Sequence, residues 1–262
     1  MSAHQKKVAL KENTQRRQKL SGKDGIGGLW LYGYHAVAAA LQNPRRKIYR
    51  LLLSQETARE LPQNLIPEDT GYEPADRADF DQILPKGAVH QGIAAYVSPL
   101  PDTYETDLTP KDASVVVILD QVTDPHNVGA VLRSAAAFDA DAVIVTQRNA
   151  PEATGAMAKS ASGALELIPL IFVSNLARTM QTLKDKGYWC VGMDGSAEKT
   201  LRDAALPRKV ALVMGSEGYG LRRLTAQNCD FMVKLPISKR VESLNVSNAA
   251  AIALYDLKYK LA

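Results

Sequence analysis

Short apolar runs separated by polar, turn-forming stretches recur along the chain from Leu29 onward. Residues 29–32, 48–53 and 93–97 have the length and the branched or aromatic content of strands, and 35–41 carries helical spacing between the first two. They predict a small α/β domain over residues 29–98, close to the lower size at which one core is self-sufficient. The stretch from Pro99 to Pro110 is polar and bounded by prolines. It reads as a linker, so residues 99–111 are expected to join two domains.

In the second domain, 112–262, the alternation is stronger. Strands are predicted at 115–119, 142–145, 167–173, 189–193, 210–213 and 231–235, and helices at 130–138, 176–186, 221–228 and 246–261. Strands that are apolar throughout and separated by helices predict a parallel sheet covered on both faces. In such sheets ligands bind beyond the carboxyl ends of the strands.

Composition narrows the class. With 262 residues, 46% of them hydrophobic, the chain can bury two modest cores. No apolar run approaches the roughly 18 to 20 residues of a membrane span, and the polar N-terminus lacks a signal-peptide core, so a cytoplasmic protein with no membrane association is expected. Cys190 and Cys229 stand apart without a CxxC or a Cys/His cluster, which implies neither a disulfide nor a metal site.

The net charge of +4 is unevenly placed, because Lys6, Lys7, Lys11, Arg16, Arg17, Lys19 and Lys23 crowd the first residues. Residues 1–28 are expected to form a disordered basic tail that attracts phosphate or simply keeps the chain in solution. Arg45, Arg46, Lys47 and Arg50 lead into a strand, where they either touch an RNA backbone or form a solvated corner.

Three loops after predicted strands stand out. In Asp120-Gln-Val-Thr-Asp-Pro-His-Asn127-Val-Gly129, Asn127 is expected to cap the next helix and Gly129 to admit a close backbone approach, which places Arg133 near the helix N-terminus, where anions are favoured. Gly215-Ser-Glu217-Gly218-Tyr-Gly220 can turn tightly and bare its backbone to a ligand, but it is neither a Walker A loop nor a G-x-G-x-x-G fingerprint. The run from Leu235 through Ile237 to Ser243, Leu244 and Asn245 leads into the last helix, where Ser and Asn are ordinary caps.

In combination the loops point further. Asn127-x-Gly129-x-x-x-Arg133, Gly215-Ser-Glu217-Gly218-x-Gly220 and Ser243-Leu-Asn245-Val-Ser247 resemble, in order and spacing, the three motifs of the SpoU/TrmH branch of the SPOUT methyltransferases. Tyr32-Gly-Tyr-His-Ala-Val37, His90-Gln-Gly-Ile93, Ser162-Gly-Ala-Leu-Glu166 and Asn175-Leu-Ala177 are similar to its RlmB-type ribosomal subgroup. The resemblance spans about residues 29–262. One departure is Ser238-Lys239-Arg240, where relatives commonly place a glycine.

That resemblance implies an α/β fold in which a C-terminal parallel-sheet domain carries a deep trefoil knot, preceded by a small ribosomal-protein-like RNA-binding domain. It implies S-adenosylmethionine as cofactor, with Gly215, Leu235, Ile237 and Leu244 in contact with it, and a homodimer. It assigns catalysis to Arg133, supported by Asn127, Glu217, Ser243 and Asn245. The implied reaction is 2′-O-methylation of a guanosine ribose in large-subunit (23S) rRNA. A tRNA or resistance-type rRNA methyltransferase and a non-catalytic assembly factor are the rival readings.

Arginine is a poor general base, since with a pKa above about 12 its neutral fraction near pH 7 is about one in 10⁵ or less. Clamping a phosphate and stabilising the developing alkoxide is the role its charge favours. His126 is a second candidate base, although a histidine beside a helix start is more often structural.

Overall fold

The computed structural model describes residues 27–147, 154–216 and 218–261; the basic segment before Gly27 and Glu217 lie outside the described residues. The chain divides between Pro101 and Asp102 into two compact units.

The first unit is a four-stranded sheet in the order β1-β4-β2-β3, built from β1 (Leu29–Tyr32), β2 (Ile48–Leu53), β3 (Glu73–Pro74) and β4 (Ile93–Val97). β4 pairs antiparallel with both β1 and β2, while the short β3 runs parallel to β2. Helix α1 (Tyr34–Gln42) contributes Val37 and Ala40 to the core, and Leu51, Leu52 and Leu53 of β2 and Ile93, Ala94 and Ala95 of β4 are wholly buried. On one face Tyr32, Leu52 and Ala94 pack with Phe80 of helix α3 (Arg77–Ile83), which follows the short α2 (Gln55–Glu60). α3 starts with a reciprocal capping box between Asp76 and Asp79, which satisfies two backbone donors that a helix leaves open. The two short helices escape the sequence pattern because six or seven residues display too little periodicity.

The second unit is a six-stranded, wholly parallel sheet in the order β10-β8-β9-β5-β6-β7. Its strands are β5 (Ser114–Leu119), β6 (Ala142–Thr146), β7 (Leu170–Val173), β8 (Trp189–Met193), β9 (Lys209–Met214) and β10 (Phe231–Val233). Val116, Val117, Ile118, Ala142, Val143 and Ile144 have no exposed surface, nor do Val210 through Val213. Each buried branched side chain contributes about 1.5–3 kcal/mol, so the centre of this sheet dominates the unit's stability. The helices are α4 (Pro125–Ala137), α5 (Gly155–Ala161), α6 (Leu176–Asp185), α7 (Arg223–Gln227) and α8 (Val246–Leu261). Among the described residues no helix is long and apolar enough to cross a membrane.

The 99–111 run does not hang free along its length. From Asp102 it belongs to the second unit, where Lys186 donates to the carbonyls of Thr106 and Leu108, Thr179 Oγ1 donates to Glu105, and Leu108 enters the core. Glu105 and the carbonyls of Thr106 and Leu108 are thus bound to α6 and to Lys186 at its C-terminus.

Several local expectations are corrected. α4 begins at Pro125, not at Ala130, because Asp124 Oδ1 accepts from the N–H of His126 and proline sits at the start of the helix, where its missing N–H costs nothing. Asn127 therefore lies inside the helix and does not cap it. Arg133 falls in the third turn, beyond the reach of the N-terminal dipole, so that argument for anion binding does not hold. The approach that Gly129 admits is that of α5: a Cβ there would sit 2.5 Å from the Met157 carbonyl and 2.6 Å from Ser160 Cβ. The strand expected from 167 starts at Leu170, because Ser162 and Gly163 adopt left-handed backbone and a 3-10 turn occupies Ala164–Glu166.

Candidate active site

β5 and β9 are neighbours at the centre of the sheet, and from β5 the chain runs out through β6 to β7 before crossing over to β8 on the far side of β9. A crevice beyond the carboxyl ends of strands at such a reversal is the usual ligand site of an open parallel sheet. The three sequence-marked loops leave the carboxyl ends of β5, β9 and β10. They are tied to one another.

Asp120, at the end of β5, joins the first loop to the second. It has no exposed surface, and its carboxylate accepts from Arg222 Nε at 2.8 Å and from the Arg222 backbone N–H at 3.2 Å, with Arg222 Nη2 at 2.7 Å. A buried carboxylate is tolerated only when paired in this way. Its own N–H donates to the Met214 carbonyl at the end of β9. Asn245 joins the first loop to the third: its Nδ2 donates to Asn127 Oδ1 at 3.0 Å. The same side chain caps α8, with Oδ1 accepting from the N–H of Ser247 at 2.9 Å and from its hydroxyl at 2.5 Å. Capping and cross-linking thus coexist in one residue.

The glycine loop closes on itself. Ser216 and Gly220 exchange backbone hydrogen bonds of 3.1 and 3.0 Å, while Gly218 and Gly220 have φ of +80° and +63°. A Cβ on Gly215 would lie 2.2 Å from the Gly220 carbonyl carbon, a distance no side chain tolerates. Glycine is therefore required at Gly215 by close approach and favoured at Gly218 and Gly220 by backbone sign.

Between these loops lies a cavity of about 550 Å³. Gly215, Leu235, Ile237 and Leu244 line it, with Ser243 beside them and Met214 and Val246 adding apolar surface. This size suits a nucleoside-sized ligand. Asn127, Arg133 and Asn245 are not in its wall. Ser243 is exposed with no cap bond among the described residues, whereas Arg133 is exposed on α4 and forms no hydrogen bond or ion pair with a described residue. His126 Nδ1 stands 3.2 Å from Ser160 Oγ, a contact between α4 and α5 that fits its structural reading. Lys239 and Arg240 are exposed and lie outside the cavity wall.

The loop after β8 was missed by sequence reasoning. Asp194, Gly195 and Ser196 line the same cavity. The Ser196 hydroxyl and backbone N–H both donate to Asp194 Oδ1 at 2.7 Å, and in that order they hold its carboxyl below the ordinary value. An ionised carboxylate therefore faces the cavity at neutral pH. The available signal was positional: Asp-Gly-Ser follows a predicted strand of the same parallel sheet, so it belongs to the same crevice. Arg222 was missed as well, although an aspartate closing the apolar strand Ser114–Leu119 calls for a buried partner. Among the described residues no group of three or more His, Cys, Asp or Glu is placed to hold a metal ion.

Comparison with known proteins follows this geometry. Residues 114–255 match the model of the SpoU rRNA Methylase family, and residues 30–103 match the RNA 2'-O ribose methyltransferase substrate binding model. The chain is 42% identical over 234 residues to the 23S rRNA (guanosine-2'-O-)-methyltransferase RlmB of Escherichia coli K12, covering 86% of this chain and 96% of that protein. It is 40% identical over 242 residues to the Pseudomonas putida protein of the same name, covering 86% of this chain and 94% of the relative. Among solved structures, the SpoU methyltransferase AviRb from Streptomyces viridochromogenes, in complex with AdoMet, superposes with a TM-score of 0.77 at 23% identity, covering 94% of this chain and 96% of that one. At that identity it speaks for the fold alone. The first-unit and second-unit matches together take in both halves of the molecule, and with the identity to full-length relatives they establish that this chain belongs to the SpoU rRNA methylase family.

Proposed function

We propose that this protein transfers the methyl group of S-adenosylmethionine to the 2′-hydroxyl of a guanosine ribose in 23S rRNA. The observation that carries the reading is the open cavity of about 550 Å³ lined by the glycine loop, the loop after β8 and the third loop, the last of which the Asn127–Asn245 bond ties to α4. The cavity's chemistry fits the cofactor: Leu235, Ile237 and Leu244 offer apolar walls to a purine, and backbone of the glycine loop offers donors and acceptors. Asp194 offers a carboxylate to a ribose diol or an ammonium. The relatives named RlmB, which act on 23S rRNA guanosine by name, support the substrate.

Bound there, the cofactor supplies an electrophilic methyl on a sulfonium, which is already a good leaving group. The protein's burden is to position a weakly acidic hydroxyl and deal with its proton. Arg133, exposed and unpaired with any described residue, is assigned to a phosphate of the target nucleotide and to the charge that develops on the ribose oxygen. Asn127 and Asn245 fix α4 against the third loop, while Ser243 at the cavity wall faces the ribose. Glu217 is assigned to the same cluster by its motif and lies outside the described residues.

Three further assignments accompany this one. The first unit, about residues 29–98, selects the RNA, a reading supported by the substrate-binding family match. The segment after β10 forms the family's deep trefoil knot, supported by the way Lys234 lies between Lys199 and Leu201, donating to one and accepting from the other. The chain pairs as a homodimer, supported by Ile252, Tyr255 and Tyr259, which leave an apolar strip exposed along α8.

The decisive experiment is transfer of labelled methyl to unmodified 23S rRNA and to unmodified tRNA, with mapping of the alkali-resistant ribose. Label on one guanosine of the rRNA is the expected result; label on tRNA, or none with cofactor bound, overturns it. Arg133→Lys is expected to lower kcat/KM about 100-fold without loss of stability, because a point charge cannot supply the bidentate geometry. Retention of full activity in that variant would remove the assigned role.

A further inference from the structure

A row of aromatic rings lies on the first unit's sheet, outside the site described above. In the register of β1, β4 and β2, Trp30 stands opposite Tyr96, and Tyr96 stands opposite Arg50. Trp30 and Tyr96 have ring centroids 5.2 Å apart, and the Arg50 guanidinium lies 5.6 Å from the Trp30 centroid while pairing with both carboxylate oxygens of Glu73. A third ring joins the row through an irregularity. The β2–β4 register shifts between Ile48 and Arg50, and Tyr49, the residue at the shift, brings its ring to 5.8 Å from Tyr96.

Without that bulge, strict alternation would turn Tyr49 to the opposite face from Arg50. Bulges re-aim a side chain at the cost of ladder regularity, and they are over-represented at sheet edges and beside active sites. The face divides in two: toward α3, Tyr32, Leu52 and Ala94 are covered by the Phe80 cluster, with Trp30 packed at its edge, whereas Trp30, Tyr49 and Tyr96 are only partly buried. Core packing explains the first group and one side of Trp30, and does not account for the row that Tyr96 and Tyr49 continue beyond it.

The surrounding charge is positive. Lys47 Nζ lies 5.6 Å over the Tyr49 ring and forms no ion pair with a described residue, and exposed Arg45 is two residues away. Glu73 is committed to Arg50. Gly28 lies against this edge, since a Cβ on it would touch the Tyr96 ring at 2.8 Å. Partly exposed rings rimmed by lysine and arginine are a means by which proteins hold unpaired bases: each base stacks on a ring while the cations meet its phosphates.

From the row Trp30–Tyr96–Tyr49 and its cations we infer that this sheet face is a stacking platform for one or two unpaired nucleobases of RNA. The inference rests on the reading of the first unit as the RNA-selecting part, and it identifies the surface that does so.

The test uses the full chain carrying Trp189→Phe, which leaves Trp30 as the only tryptophan of the two. A single-stranded RNA oligonucleotide is titrated against its abasic counterpart of equal length and charge. The platform predicts quenching of Trp30 emission by the base-bearing strand and about tenfold weaker binding of the abasic one, within the range that stacking of a base supplies. Adding Tyr49→Leu with Lys47→Ala is expected to remove about tenfold in affinity for the base-bearing strand, with cofactor affinity and unfolding midpoint as controls for the fold. Equal binding of both strands with unchanged emission overturns the platform, even if methyl transfer to rRNA persists. Quenching by the base-bearing strand in a protein that methylates no RNA would keep the platform and overturn the enzymatic reading. Emission that responds to protein concentration but not to RNA would mark the face as a contact between copies and also overturn it.

Discussion

Asp120 and Arg222, 102 residues apart, form a contact that pins the end of β5 to the start of α7, and the carboxylate in that contact has no exposed surface whereas the arginine side chain is 46% exposed. The asymmetry matters because the two partners lose different things when separated. Arg222 can reach water; Asp120 cannot.

Removing the arginine is therefore expected to cost more than neutralising the aspartate. Arg222→Leu strands a buried carboxylate and should destabilise by about 3 kcal/mol, the lower end for a broken buried pair because one partner is half exposed. Asp120→Asn keeps the shape and an acceptor and should cost about half as much. Urea unfolding of both variants checks the order, and the reverse order would show that the pair is not what anchors the loop.

Asn245 carries two functions that one substitution separates. Asn245→Asp retains the Oδ1 that caps α8 and places a negative charge at a helix N-terminus, so stability should hold within about 0.5 kcal/mol. It loses the Nδ2 that donates to Asn127 Oδ1 and sets two acceptors facing each other. Since small misplacements of positioning groups cost about 100-fold in rate, methyl transfer by this variant is expected to fall by about that factor. Unchanged transfer would reduce Asn245 to a cap.

Much of this arrangement was legible in the sequence, for reasons that differ by element. The strands at Leu29–Tyr32, Ile48–Leu53, Ile93–Val97 and Trp189–Met193 and the helix at Val246–Leu261 stand where the hydrophobic pattern places them, because each buries a continuous run or stripe. The start of α4 was misplaced because Asp124 and Pro125, a good cap and a good first residue, precede a stretch of mixed polarity that hid the first turn. At the site, Gly215, Leu235, Ile237 and Leu244, which the motif resemblance gives as cofactor contacts, line one cavity. The Asp120–Arg222 and Asn127–Asn245 links were out of reach, since pairing across a hundred residues depends on strand order and no local pattern encodes it.

The two thiols offer a test of the core through pH. Burial pushes both Cys190 and Cys229 from 9.0 up to about 12. Above pH 9 the unfolded chain releases these protons while the folded chain keeps them, so stability is whole below about 9 and declines as pH rises toward 12. Each thiol should add a slope on the order of 1 kcal/mol per pH unit in that window. Replacing both by Ala should flatten the alkaline limb of the unfolding free energy relative to the parent; identical limbs would mean that the thiols reach water in the folded state.

Gly215 and Gly195 both line the cavity, and the space around them predicts opposite consequences for adding one methyl group. At Gly215 the new Cβ would overlap the Gly220 backbone at 2.2 and 2.3 Å, and no flexible side chain is there to yield. Overpacking of this kind costs about 1–3 kcal/mol or more, so Gly215→Ala is expected to lose both stability and cofactor binding as the loop opens. At Gly195 nothing lies within 4 Å of the added atom and its φ is ordinary, so Gly195→Ala should fold as the parent does. Its methyl group would project into open space at the cavity wall. If S-adenosylmethionine fills that space, Gly195→Ala weakens its binding by calorimetry while the unfolding midpoint stays put. Full cofactor affinity in Gly195→Ala would place the ligand away from the β8 loop and confine it to the walls made by the glycine loop and the third loop.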